Sequence, residues 1–154
     1  SAHVRMNVGG VRMKLIIKEK TNDPAFSSRA VGDGVAVVPQ GGTVCAPVSG
    51  TVAALFPTEH ALGIMSDDSS AQVMLHIGID TVKLEGKGFH ALVAQGDHVD
   101  AGQPLVEVDF DVVRAAGFDP TVFVIVCERS ENSTLREHAS GPVAVKEPVI
   151  WLSE

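Results

Sequence analysis

Two histidines in this sequence are placed where an imidazole can do chemistry, His60 in "HALGIM" and His76 in "HIGI". Each opens onto apolar residues of strand character, and the turn-forming stretch "SDDSSA" (66–71) lies between them. If the two segments pair as a hairpin about that turn, the two rings come side by side; a separation of sixteen positions also permits other registers. A single histidine on an apolar strand reads first as a satisfied core residue. Two that meet across a hairpin are costly to bury unless they share a ligand, and that ligand is either a metal ion or an anion such as phosphate.

A catalytic metal wants about three protein ligands. Asp80 offers itself as a third but lies four positions beyond His76. Phosphate fits the pair better: one neutral imidazole attacks phosphorus while the other donates a hydrogen bond to a phosphoryl oxygen. His90, His98 and His138 sit among polar or charged neighbours and read as surface, and His3 lies in the amino-terminal segment.

The elements that must position these rings are strands. Short apolar runs recur between Gly, Pro, Asn and Asp: "KLIIK" 14–18, "VAVVP" 35–39, "TVAALF" 51–56, "VMLHIGI" 73–79, "PLVEV" 104–108, "TVFVIV" 121–126, "PVAV" 142–145 and "PVIWL" 148–152. Such spacing predicts an all-β chain, an antiparallel sandwich or partly open barrel with a few short helical turns. "TVFVIV" does not alternate, so that strand is expected to be covered on both faces. Helical turns are expected at "FHALVAQG" (89–96), from the spacing of Phe89, Leu92 and Val93, and at "DFDVVRAAG" (109–117), capped by Asp109 or Asp111 and closed by Gly117.

Bulk properties narrow the function. The chain of 154 residues suits one domain with a sizeable core, and a hydrophobic content of 45% is that of a globular protein. A net charge of −7 argues against nucleic acid and suits a partner with a basic face. No run of about 18 apolar residues is present to insert into a membrane, and no signal peptide is visible. Cys45 and Cys127 share no spacing motif and are expected as reduced core residues of a cytoplasmic protein. The opening "SAHVRMN" lacks an initiating methionine, as a domain cut from a longer protein or one carrying vector-derived residues would. Residues 1–19 are read as an amino-terminal segment with a first strand, and 20–154 as the domain proper. The Gly-bracketed turns "APVSGTV" and "GDHVDAGQPLVEV" look like those of lipoyl and biotinyl carrier domains, but Lys83 and Lys87 are not flanked as a carrier lysine at a hairpin tip would be. A zinc hydrolase of similar architecture needs a His-x-His element, and none occurs.

"VMLHIGIDTVKLEGKGF" (73–89) resembles the signature of the glucose-type enzyme IIA domain of the bacterial phosphoenolpyruvate-dependent sugar phosphotransferase system. "DPAF" 23–26, "VGDGVAVVP" 31–39, "APVSGTV" 46–52, "FPTEHALGIMSD" 56–67 and "SGPV" 140–143 follow that family's order, over roughly residues 20–154. The resemblance implies an antiparallel β-sandwich that carries a phosphoryl group on histidine. His76 becomes the phosphoryl-accepting nucleophile, His60 the residue that stabilises the phosphoryl group, and Thr58 the residue that orients His60. It implies an apolar docking collar of Phe26, Val31, Phe56 and Val82, with Ala25, Ala30 and Met74 at its edge and Asp23 and Asp80 as rim carboxylates. The partners implied are the histidine-containing phosphocarrier protein as donor and a cysteine of a sugar permease IIB domain as acceptor. No cofactor is required, though a zinc ion could bridge His60, His76 and a partner carboxylate. The alternative is a regulatory module that docks permeases or metabolic enzymes according to its phosphorylation state. Imidazole chemistry agrees with this assignment: with an unperturbed pKa of about 6.5 it is largely neutral and nucleophilic near pH 7. The carbonyl of Gly78, two residues on, is placed to fix the tautomer of His76.

The chain departs from the family pattern in three places. The His60–His76 segment is one residue longer, which a bulge could absorb by re-aiming one histidine. "GGVRMKLIIKEK" lacks the usual Pro-x-x-Gly turn, and the collar has alanine at positions 25 and 30.

Overall fold

In a computed structural model of the chain, the described residues are 3–7, 13–16, 33–39, 42–67, 71–129, 134–137, 141–143 and 148–153. They form strands β1 (His3–Asn7), β2 (Met13–Ile16), β3 (Asp33–Pro39), β4 (Thr43–Cys45), β5 (Gly50–Leu55), β6 (Ala61–Ser66), β7 (Ala71–Ile77) and β8 (Phe89–Ala91). These continue with β9 (His98–Val99), β10 (Pro104–Val108), β11 (Val122–Arg129), β12 (Thr134–Glu137), β13 (Gly141–Val143) and β14 (Pro148–Ser153). Among the described residues the helical content is a 3₁₀ turn at Thr81–Leu84 and one short helix, α1 (Phe110–Ala115).

The strands pair antiparallel in one eight-stranded sheet, β13-β2-β3-β11-β7-β6-β5-β9, and two three-stranded sheets, β1-β14-β12 and β4-β10-β8. The large sheet lays one face of β5, β6, β7 and β11 against β4-β10-β8 and α1. That interface is the main core, built from Val44, Val52, Leu62, Ile64, Val73, Leu75, Ile77, Leu105, Val106, Val113, Val122 and Val124 among others. The fold is therefore the all-β antiparallel sandwich with few helical turns that the punctuated apolar runs predict.

β7 shows how alternation builds a site. Ala71, Val73, Leu75 and Ile77 point into the main core, while Gln72, Met74 and His76 face the other way and are only half-buried. β11 lies beside it, apolar and buried on both faces from Val122 to Val126. Val122, Val124 and Val126 join the main core, and Phe123 and Ile125 join Ala36 in a second, smaller cluster packed by Met74 and Ile79. Its lack of alternation is thus the mark of a strand covered on both sides.

Two local expectations need correction. "FHALVAQG" is strand β8 followed by a turn, not a helix: Phe89, His90 and Ala91 pair with Val108, Glu107 and Val106. Three apolar positions spaced i, i+3 and i+4 make less than two helical turns, and the free edge of β10 outweighs so weak a helical preference. Gly96, with φ 96°, instead closes a turn in which Asp97 N–H donates to Ala94 O (3.1 Å). Cys127 is not a core residue; it is exposed, whereas Cys45 is buried, and neither is in a disulfide. The β11–β7 register slips between Val126 and Glu128, and this bulge at Cys127 turns its side chain out of the core. The other helix stands as expected: Asp109 Oδ1 accepts from the N–H groups of Asp111 (3.1 Å) and Val112 (3.3 Å), and Gly117 at φ 87° follows its end.

Candidate functional site

The hairpin expected between the two histidine segments is present. β6 and β7 pair from Ala61↔His76 to Met65↔Gln72 with no slip in register, so the extra residue of this segment makes no bulge in the ladder. The residues opposite His76 and Met74 on β6 are Ala61 and Gly63, whose small side chains leave space over this face. On the other side Phe123 of β11 pairs with His76, their ring centroids 6.3 Å apart.

His60 stands one residue before β6, in the turn that links it to β5. Phe56 N–H donates to Ala61 O (3.0 Å), Glu59 N–H to Phe56 O (2.8 Å) and Ile77 N–H to His60 O (2.8 Å), which ties the turn to the end of β7. Glu59 takes φ 62°, a left-handed conformation that β-strand continuation would forbid. The result is that the His60 ring meets His76 edge to face, centroids 5.1 Å apart at 82°. Phe56 closes the far side of His60 at 5.4 Å.

Each imidazole is held through Nδ1. His76 Nδ1 lies 2.7 Å from Gly78 O, and a carbonyl can only accept, so Nδ1 carries the proton and Nε2 the lone pair. His60 Nδ1 lies 2.5 Å from Thr58 Oγ1, a hydroxyl that can donate or accept. His60 is only 3% exposed; this burial, and secondarily the neighbouring His76, lower its pKa from 6.5 to about 4. It is neutral at pH 7.

Phe56, packed against His60, is 43% exposed, and Val82 in the 3₁₀ turn that follows β7 is 49% exposed; both are large apolar side chains left in solvent. Met74 is half-buried two residues before His76 on the same face of β7, and Asp80 is exposed at the start of the 3₁₀ turn with φ 61°. Phe26, Val31, Asp23, Ala25 and Ala30 lie outside the described residues. So does His138, while His90 and His98 are exposed, His98 Nε2 lying 2.9 Å from an Asp67 carboxylate oxygen. Among the described residues no group of three or more His, Cys, Asp or Glu is placed to hold a metal, so Asp80 does not join the pair as a third ligand.

Sequence reasoning missed the support behind His76. Gly78 N–H donates to Thr121 O (2.7 Å), Ile79 N–H donates to Asp119 O (3.0 Å), and Thr81 Oγ1 donates to Ile77 O. The signal was the "DPT" turn at 119–121, whose Asp favours a local side-chain cap.

Fold and site together define a class: an antiparallel β-sandwich that displays two facing imidazoles beside an exposed apolar rim. The chain belongs to the phosphoenolpyruvate-dependent sugar phosphotransferase system EIIA 1 family, whose model matches residues 7–132. It is 40% identical over 136 residues to the glucose-specific EIICBA component of Streptococcus pneumoniae, covering 88% of this chain and 19% of that protein. It is 42% identical over 134 residues to the beta-glucoside-specific EIIBCA component of Bacillus subtilis, covering 87% of this chain and 22% of that protein. The chain thus spans about a fifth of the length of these curated relatives. Its fold matches that of the glucose permease IIA from Mycoplasma capricolum with a TM-score of 0.88 at 32% identity, over 98% of this chain and 96% of that one. Among the described residues no helix is long and apolar enough to cross a membrane.

Proposed function

We propose that this chain is a phosphocarrier of the sugar phosphotransferase system, acting in the cytoplasm, with His76 as the phosphoryl acceptor. The observation that carries the reading is the facing pair of rings, each gripped at Nδ1, with centroids 5.1 Å apart. The lone pair on His76 Nε2 attacks the phosphorus of a phosphohistidine on the histidine-containing phosphocarrier protein. The new N–P bond forms as the donor's N–P bond breaks and its electron pair returns to the donor imidazole. In the second transfer a cysteine thiolate of a permease IIB domain attacks the same phosphorus and His76 Nε2 leaves. With the Thr58 hydroxyl donating to Nδ1, His60 presents Nε2–H to a phosphoryl oxygen and stabilises charge as it develops.

The relatives whose names join the A, B and C components support a IIB acceptor. Phe56 and Val82 are the exposed apolar members of a docking rim that excludes water from the phosphohistidine once a partner is seated. Phe26, Val31 and Met74 are proposed to complete it, with Asp23 and Asp80 steering a basic partner. The same rim would serve phosphorylation-dependent docking to permeases or metabolic enzymes.

Two imidazole nitrogens are the kind of donor zinc accepts, but two ligands leave a zinc site half-made. Zinc would therefore bind only where a partner adds a carboxylate, and phosphoryl transfer needs no metal.

The test is incubation with phosphoenolpyruvate, the general phosphotransferase and the phosphocarrier protein. One acid-labile phosphoryl group is expected per chain, absent from His76→Gln. A label retained by that variant, or no label on the wild type, sinks the proposal.

A further inference from the structure

We propose that Asp119 and Thr121 are positioning residues for His76, acting through the Gly78 peptide; this rests on the reading of His76 as the phosphoryl acceptor. The carbonyl that takes the His76 Nδ1 proton and the N–H of Ile79 are opposite ends of one planar peptide unit. The carbonyl end meets His76 at 2.7 Å, and the N–H end is held by Asp119 O at 3.0 Å. Because the unit is rigid, whatever holds the N–H also sets where the carbonyl points. A bond at the N–H also polarises the carbonyl and makes it a better acceptor. The preceding peptide is held by the same turn, Gly78 N–H donating to Thr121 O at 2.7 Å.

The turn that does the holding is itself fixed by one carboxylate. Asp119 Oδ1 accepts from Thr121 N–H (2.9 Å) and from Thr121 Oγ1 (2.5 Å), with Pro120 between them. Thr121 is 5% exposed, so these bonds are little weakened by water. Gly78 at φ 79° fits this clamp tightly, since a Cβ there would stand 3.0 Å from Asp119 O. A continuous chain of hydrogen bonds therefore runs from the Asp119–Thr121 turn through the 78–79 peptide to the proton on His76 Nδ1. That proton decides which ring nitrogen is nucleophilic.

The experiment reads the tautomer directly, from the ring ¹⁵N shifts of His76 in the intact chain, alongside phosphoryl transfer. Wild type is expected in the Nδ1–H form. Asp119→Ala, which removes both Oδ1 bonds, is expected to give a mixture of tautomers at His76 and a transfer rate lower by about tenfold or more. The His60 ring shifts and the affinity for the donor protein should not move. Asp119→Asn keeps an Oδ1 acceptor and is expected to restore the wild-type tautomer and rate. If Asp119→Ala does not fold, Thr121→Val removes one of the two bonds and carries the same test. Wild-type His76 shifts in a folded Asp119→Ala or Thr121→Val overturn the proposal. So does slowed transfer with an unchanged tautomer, which would place the effect in stability or docking. The ¹⁵N readout needs no phosphoryl donor, so its failure is distinguishable from a failure of His76 to accept phosphate.

Discussion

Ala61 stands directly opposite His76 in the β6–β7 ladder. This one cross-strand pairing puts a methyl group where a larger side chain would crowd the imidazole. It also delivers His60, the residue just before Ala61, to within ring contact of His76. His76 lies on the face of β7 that the half-buried Met74 shares, and the buried His60 reaches it from the turn before β6.

The two rings should fail differently. His76→Gln loses phosphoryl acceptance altogether, whereas His60→Gln is expected to accept the group but to donate it at least about tenfold more slowly. Thr58→Val, which strips the hydroxyl from His60 Nδ1, should show the same split in milder form. Rapid-quench measurement of each half-reaction checks this. Unimpaired donation by His60→Gln removes His60 from the mechanism.

Acid should weaken the fold through His60. Its folded-state pKa of about 4 lies below the 6.5 of the free side chain, so at pH 7 the ring is neutral both folded and unfolded. As pH falls below 6.5 the unfolded chain takes up the proton first, and stability declines until about pH 4, where the folded ring also protonates. At about 1.4 kcal/mol per unit the loss cannot exceed about 3.5 kcal/mol, and solvent near the rim reduces it. Urea unfolding of wild type and His60→Gln should therefore converge as pH drops from 7 to 4. Curves that stay parallel across that window would falsify the pKa assignment.

Gly78→Ala should be costly in two separable ways. A Cβ there meets Thr81 Cγ2 at 2.4 Å, and the backbone keeps φ 79°, so a loss of about 1–3 kcal/mol is expected. Adding Thr81→Ser removes the offending methyl and keeps the hydroxyl. Stability should return only in part, because the left-handed backbone remains. Full recovery in thermal unfolding would mean the methyl clash was the whole penalty.

Charge on the rim should disrupt docking without unfolding the protein. Val82 is exposed, so Val82→Asp is expected to shift stability by no more than about 0.5 kcal/mol. It should nevertheless raise the KM for the donor protein by about tenfold or more. Leu92, 44% exposed on the segment after β8, supplies the control: Leu92→Asp should leave transfer unchanged. Equal effects from both substitutions would remove Val82 from the interface.

Much of this molecule was legible in its residue order because alternation and turn chemistry act locally. Apolar runs bounded by Gly, Pro and Asp located β2, β3, β5, β7, β10, β11, β13 and β14, and Asp109 with Gly117 marked α1. The segment at Phe89–Ala91 was misread because three residues cannot tell period 2 from period 3.6, and the open edge of a distant strand, β10, chose between them. Cys127 was misplaced for a similar reason, since a bulge is a property of two paired strands and not of one.

The candidate site divides in the same way. Residue order alone determined that His76 lies on a strand, on the face opposite Leu75, two residues before a carbonyl it can reach. It also set the odds that His60 and His76 share a hairpin. Only the tertiary structure decided that their rings meet, because His60 stands outside β6, where strand alternation no longer dictates direction and a left-handed Glu59 aims the turn. Only the tertiary structure, too, brought Asp119 and Thr121 behind Gly78, residues some forty positions away whose hydrogen bonds exist only once β11 has packed beside β7.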